Sequence, residues 1–360
     1  MKIVDMHCDT VSELYEKRKK GQVCSLREND LHVDLQKMQK SGYLLQNFAL
    51  FVTMDGKEDP WEKVLALHQV YEEEMEQNAD LILPVFNWQD IEANRAAGKL
   101  SALLTVEEGG VCKGELSKLR TLYEKGVRMM TLTWNYPNEI GFPNLRNEEG
   151  RVAWQMHKDV KNSTLNGLER RLQQAEADRV LKSYLNEPDT RNGLTKKGRE
   201  FVAEMERIGM IVDVSHLSDA GFYDVLSITR KPFVASHSNA RAVCPCVRNM
   251  TNDMIRKLAQ RGGVIGLNFC ADFLTQKPAG TSNPGTIADI AAHAVHIRNV
   301  GGIECLGLGS DFDGIDTHEE LPGADQMELL YDALEKAGFH QAEIDKVFGE
   351  NVLRLYKEAL

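Results

Sequence analysis

The chain has little cysteine for its length: seven in 360 residues, at Cys8, Cys24, Cys112, Cys244, Cys246, Cys270 and Cys305. An odd, scattered set with no CxxC pair excludes a disulfide framework and a metal knuckle, so reduced thiols and a cytoplasmic location are expected. Long apolar runs are also lacking. No window reaches the roughly 18 residues of a membrane span, and the opening MKIVDMHCDT lacks the charged-then-apolar profile of an export signal. A protein that is neither exported nor anchored is expected. Positive charge is in deficit, with 43 basic against 54 acidic residues and a net charge of −11. That balance repels phosphate backbones and anionic lipid, which argues against nucleic acid and membrane as partners. There is no GxSxG elbow, Walker-type loop or internal repeat. Apolar residues at 42% and charged residues at 27% fit an ordinary globular chain.

What is present is an alternation. Short runs rich in Val, Ile and Leu, at residues 2–7, 45–52, 100–106, 128–133, 210–215, 232–236, 263–269 and 305–310, read as eight strands. Helical patterns lie between them at 60–78, 116–125, 196–208, 218–227, 252–260 and 286–300. Near-continuous apolar strands, each buried on both sides and each followed by helix, predict a (β/α)8 TIM barrel spanning residues 1–360, with an open doubly wound sheet as the alternative. An extra apolar run at 81–86 is either a short strand or the end of a connection. About sixty residues separate Thr133 from the helix near Lys196, a helical excursion after the fourth of these strands at about 140–192. Leu165, Leu168, Leu172 and Ala175 recur there at three- and four-residue spacing and predict one amphipathic helix. It is a lid, a subunit contact or a plain surface excursion. Residues 324–360 read as two or three closing helices.

The ionisable residues fall at the strand ends. His7 and Asp9, Glu107, His216, His237 and Asp311 each close a different apolar run, and in a barrel all converge on the C-terminal rim where this fold builds its sites. Imidazole and carboxylate are ligands of zinc and similar divalent ions, and His7 and Asp9, two apart on an extended chain, project to one side. Six potential ligands exceed the needs of one tetrahedral ion, whereas a carboxylate can bridge two ions about 3.5–4 Å apart. A binuclear centre fits the count. Cys8 points to the opposite side of the strand and reads as packing, and His293 and His296 read as residues of a helix face.

The segments DMHCDT (5–10), LLTVEEGG (103–110), MTLTW (130–134), GMIVDVSHLSD (209–219), PFVASHSNARAVCPCVRNM (232–250) and GLGSDFDG (307–314) resemble, in the same order, the renal or membrane dipeptidase family of zinc peptidases in the metal-dependent amidohydrolase superfamily. The resemblance implies a barrel with two Zn2+ ions, one on His7 and Asp9, the other on His216 and His237, with one glutamate bridging both. Glu107 is taken as the bridge and Glu108 as the reserve. It further implies that Asp311 handles the proton of the attacking water and leaving amine, and that Arg248 receives the substrate carboxylate. A guanidinium is a natural two-pronged partner for that group. Asp313 is assigned to supporting the loop. A dipeptide substrate, with tolerance of a C-terminal D-residue, and a homodimer are the corresponding expectations.

Two departures stand out. Where well-known members carry a substrate-contacting histidine after the fourth strand, this chain has Trp134 followed by Asn135. Indole donates one hydrogen bond and does not titrate. Either the metals and Asn135 polarise the carbonyl, or the substrate differs, or Trp134 simply packs. The excursion is also larger than the family's. An N-acyl amino acid deacylase on the same centre, and a catalytically silent metal-binding barrel, are the competing readings.

Overall fold

The computed structural model describes residues 2–162, 167–275, 285–316 and 319–360. Their strands are β1 (Ile3–Asp5), β2 (Tyr43–Phe51), β3 (Ile82–Pro84), β4 (Leu100–Glu107), β5 (Val127–Thr131), β6 (Ile211–Asp213), β7 (Val234–Ala235), β8 (Val264–Leu267) and β9 (Leu306–Leu308). All pair in parallel in the order β2-β1-β9-β8-β7-β6-β5-β4, and β2 pairs with β4 to close a barrel of eight strands. Asp5 opposite Leu308 makes one seam and the run from Leu45 opposite Ser101 to Phe51 opposite Glu107 makes another. The chain is therefore a (β/α)8 barrel and not an open sheet.

Strands buried on both faces have no polar side to alternate with, which is why every residue of β4 and all but Phe51 of β2 are buried. The run at 81–86 supplies β3, a strand outside the closure. It pairs with Leu100 to Ala102 of β4, while β5 takes the same edge from Leu104 onward. Inside the barrel, Val4, Met6, Leu45, Leu103, Met129, Ile211, Val234 and Val264 pack together with Val352, Leu355 and Tyr356 of the last helix, Asn351–Ala359. That helix plugs the barrel, and the Tyr356 hydroxyl donates to Asn47 Oδ1 at 2.8 Å.

The helices start where the sequence provides caps. Asp59 precedes Pro60–Gln77 with proline in its first turn, and Asn87 forms a capping box with Asp90. Thr195, Ser218, Thr251 and Thr286 each accept a backbone N–H of the turn they open. These caps let strand-to-helix loops be short and fixed.

The excursion differs from its expected form. It holds two helices, Asn147–Asn162 and Gly167–Asn186, packed antiparallel with Gly150 against Tyr184. Leu168 and Leu172, 72% and 63% exposed, face solvent with Ala175, whereas Ala177 and Leu181 are buried. Leu165 lies outside the described residues. The spacing identified a helix but not its inner face, which lies on Ala177 and Leu181 and not on the stripe of Leu168, Leu172 and Ala175. Among the described residues, no helix is long and apolar enough to cross a membrane.

Candidate metal centre

The five expected metal ligands and Asp311 lie at or just beyond a strand end on one rim. Glu107 is the last residue of β4, His7 and Asp9 follow β1, His216 follows β6, His237 follows β7 and Asp311 follows β9. The turns that aim them are tight: His216, Asp311 and Asp313 hold φ of 67°, 64° and 67°, and Glu108 holds 93°. Non-glycine residues are held in that region only where surrounding bonds over-determine it. For Asp313 those bonds are visible. Its carboxylate accepts the Thr10 hydroxyl at 2.6 Å and the His32 N–H at 2.7 Å, and its own N–H donates to His32 Nδ1 at 2.8 Å. It fastens the loop that carries Asp311, as the sequence suggested.

Glu107 occupies the centre. Its Oε2 lies 3.4 Å from His7 Nε2, and its Oε1 lies 3.1 Å from His216 Nε2 and 3.5 Å from His237 Nε2. His7 Nε2 is also 3.3 Å from Asp9 Oδ2 and 3.7 Å from Asp311 Oδ1, and the His7 and His237 rings stack at 3.9 Å. Glu108 points elsewhere. Its carboxylate accepts the N–H groups of Gly110 at 2.7 Å and Trp134 at 2.9 Å and the Asn138 amide, which pins the loop after β4 to the loop after β5.

Burial is nearly complete and dominates the electrostatics. It pushes Asp9 up to about 6 and Asp311 and Glu108 up to about 7, and pulls His216 down to about 4 and His237 to about 3. Burial would likewise depress His7, but Glu107 and Asp9 outweigh it and hold that imidazole well above its ordinary value. Glu107, which burial alone would raise, is brought well below its ordinary value by the three imidazoles, His7 first. The carboxylates thus call for positive charge in their midst.

These donors fit divalent cations. His7 Nε2 and Asp9 Oδ1 are buried without a hydrogen-bond partner. His216 Nδ1 is committed to Asn135 Oδ1 at 2.9 Å and His237 Nδ1 to Ser236 Oγ at 2.8 Å, so two Nε2 atoms face each other at 3.0 Å. With both Nδ1 atoms protonated, the facing atoms are lone pairs, a repulsive contact that a shared cation relieves. Three triads, His7 with Asp9 and Glu107, Glu107 with His216 and His237, and His7 with His237 and Asp311, keep their ligand atoms within 4.8 Å of one another.

Above the centre lies a cleft of about 630 Å3. Phe51 and Trp134 wall one side in an edge-on contact at 4.8 Å, Phe269 and Phe273 also line it, and Glu13, Asp272, Asp316 and Glu319 add carboxylates. No lysine or arginine is among these described lining residues. Arg248 is not in the lining. It is 3% exposed, donates to the His237 carbonyl at 3.2 Å and stands 5.3 Å from the centre of the Phe273 ring, with its Nε unpartnered. Asn135, expected to meet substrate, lines the cleft, with its side-chain oxygen on His216. His293 and His296 bond within the scaffold, at Ala240, Leu274 and Asn252.

A supporting layer escaped the sequence reading. Asn268 Nδ2 donates to Asp311 Oδ2 at 2.8 Å, leaving Oδ1 toward His7. Asp5 and Asp213, buried at the ends of β1 and β6, accept hydrogen bonds from Ser310 and Ser236 on the neighbouring strands. The available signal was an aspartate inside each apolar run, IVD at 3–5 and again at 211–213. A charge there is costly unless several donors meet it.

A sequence model of the membrane dipeptidase family, peptidase family M19, matches residues 1–155 and 141–360. An uncharacterized dipeptidase of Schizosaccharomyces pombe is 31% identical over 376 residues, covering 99% of this chain and 80% of that protein. Among solved structures, the metallopeptidase dipeptidase AC superposes with a TM-score of 0.83 at 24% identity, covering 100% of this chain and 98% of that one. A Rhodobacter sphaeroides metallopeptidase liganded with a phosphinate mimic of L-Ala-D-Ala gives 0.80 at 23% identity, covering 100% and 99%. At such identities these two structures speak for the fold.

Proposed function

Because the chain belongs to the membrane dipeptidase family, we propose that it hydrolyses the peptide bond of dipeptides with the help of two zinc ions, His7 and Asp9 holding one, His216 and His237 the other, and Glu107 both. The observation that carries this reading is the place of Glu107, one oxygen toward His7 and the other toward His216 and His237. Such ions supply an acidified water and polarise the scissile carbonyl when bound.

The rest falls to side chains. Asp311, with Oδ2 held by Asn268 and Oδ1 turned to the centre, takes the proton of the attacking water and returns it to the leaving amine. Arg248, which lies behind the cleft wall, receives the substrate carboxylate once the substrate reaches past that wall. Its buried, unpartnered Nε is a donor whose desolvation an incoming acceptor would repay. Phe51 and Trp134 shield one side of the scissile bond from bulk water. Asn135 lines the cleft and orients His216 through its side-chain oxygen, which leaves its amide NH2 for the substrate. The carboxylate rim favours a substrate bearing a free ammonium, as a dipeptide does, over an N-acyl amino acid, which carries only negative charge. Acceptance of a C-terminal D-residue is part of the proposal, in line with the mimic held by the Rhodobacter sphaeroides protein.

The test is metal analysis of protein purified without chelator, paired with hydrolysis of L,L and L,D dipeptides and N-acetyl amino acids. About two zinc ions per chain, dipeptide cleavage, loss of activity on chelation and its return with zinc are expected. Cleavage of acyl amino acids alone would overturn the dipeptidase reading. Absence of metal and of activity after zinc addition would overturn the ligand assignment.

A further inference from the structure

Two buried aspartates clamp the rim in matching ways. Asp5 at the end of β1 accepts the Ser310 N–H at 2.9 Å and its hydroxyl at 2.6 Å, and Asp213 at the end of β6 accepts the Ser236 N–H and hydroxyl at the same two distances. Each serine immediately precedes a site residue, Asp311 or His237. The clamps differ in what else the hydroxyl touches. Ser310 Oγ lies 3.2 Å from the backbone carbonyl of His7, whereas Ser236 Oγ lies 2.8 Å from the ring nitrogen Nδ1 of His237.

That difference fixes a proton. Asp213 receives four donors, the Ser215 and Ser236 N–H groups on Oδ1 and the Ser236 and Thr131 hydroxyls on Oδ2. A carboxylate so surrounded only accepts, so the Ser236 hydroxyl hydrogen points to Asp213. Its oxygen lone pair then faces His237 and takes the Nδ1 hydrogen, which leaves Nε2 bare toward Glu107 and His216. His216 reaches the same tautomer through the neutral amide of Asn135. His237 alone of the two is wired through a hydroxyl to a buried anion.

We propose that Asp213, acting through Ser236, is a positioning residue that fixes His237 as an Nε2 donor and so sets the affinity of the His216–His237 half of the centre separately from the His7–Asp9 half. This rests on the two-ion reading above, but its first consequence is visible without any ion.

The experiment uses the full chain and the variant Ser236→Ala, which keeps the backbone bond to Asp213 and removes only the hydroxyl. Long-range proton–nitrogen NMR of the histidine rings in chelator-stripped protein reads the tautomer, and zinc titration against a chromophoric competitor reads the two affinities. In the parent chain His237 carries its hydrogen on Nδ1. In Ser236→Ala that preference is lost, one zinc binds as before and the other binds about 10- to 100-fold more weakly. Ser236→Thr, which restores the hydroxyl, restores both, and Ser310→Ala leaves the His237 tautomer unchanged. An unchanged tautomer in Ser236→Ala, equal weakening of both ions, or undiminished binding of both overturns the proposal. A parent chain that binds no zinc overturns the two-ion reading instead, and the tautomer still decides on the relay.

Discussion

Gly309 and Gly266 make room for one carbonyl, and the room is small enough to predict what a methyl group would do. A Cβ on Gly309 would lie 1.7 Å from the Ser236 carbonyl oxygen, 2.8 Å from its carbon and 3.1 Å from His237 Cα. Real Cβ atoms do not approach heavy atoms closer than 3.0 Å, so Gly309→Ala must separate β9 from the β7 end by about 1.3 Å. A Cβ on Gly266, 1.9 Å from the same oxygen, would press from β8. Overpacking of this kind costs about 1–3 kcal/mol, and misplacing reacting groups by about 1 Å costs on the order of 100-fold in rate. His237 and Asp311 sit directly beside the contact and belong to opposite sides of it. Gly309→Ala should therefore melt several degrees earlier, lose about 100-fold in kcat/KM on a dipeptide and bind metal more weakly. Circular-dichroism melting, steady-state kinetics and metal titration read the three effects. A variant with unchanged melting and near-native kinetics would refute the argument that this contact sets the spacing of the rim.

Glu107→Gln should lose metal and about 1000-fold or more in kcat, since several kcal/mol of metal-centred stabilisation depend on it. Glu108→Gln should keep its metal and lose about 1–3 kcal/mol of stability as an amide NH2 meets N–H donors; equal metal loss in both would return the bridging role to question. Gly314→Ala would set a methyl 2.1 Å from Asp9 Oδ2 and 2.7 Å from Asp311 Oδ1, so zinc titration should show weakened binding with melting of the metal-free protein near native. Glu204 is held down to about 2 by Arg207 and Arg120. Its folded value lies below its unfolded one, so its contribution is present above about pH 4.5 and fades as pH falls toward 2. Urea midpoints should show Glu204→Gln less stable than the parent at pH 7, by about 1 kcal/mol or less because the arginines are exposed, with the gap closing between pH 4.5 and 2; a gap that widens there would refute the assignment.

The barrel was legible because both faces of its strands are covered, leaving runs such as LSALLTV without a charged residue. The same feature made the site legible. In such a strand the first ionisable residue after the run marks where the barrel opens, and His7, Glu107, His216, His237 and Asp311 all stand there. Length was overread because burial outlasts the ladder: β6, β7 and β9 span only three, two and three residues, and Val214, Ser215, Ser236, Gly309 and Ser310 beyond them stay buried without continuing it. The inner face of the excursion was illegible because apolar residues recur on two sides of the second helix, and the three- and four-residue spacing of Leu168, Leu172 and Ala175 marked the exposed side while Ala177 and Leu181 are buried.

Polar residues one layer behind the donors carry no periodic signal, yet physical chemistry gives them a signature. Asp5 and Asp213 interrupt apolar runs from which a charge is normally expelled, and a buried carboxylate survives there only if donors converge on it. The donors have to come from elements that end nearby, which on a parallel barrel means the neighbouring strands. Ser236 and Ser310 answer from just past β7 and β9, one residue before His237 and Asp311. The cost of burying each aspartate is thus recovered at the point where two strands must be held in register for the site to form. Asn135 shows the converse. Its place beside Trp134 sets it in the cleft wall, and its side-chain oxygen also meets the Nδ1 of His216, a bond that governs which nitrogen that histidine offers. Sequence adjacency places a residue at the rim, whereas the direction of one hydrogen bond decides which nitrogen of its histidine partner is left to face the centre.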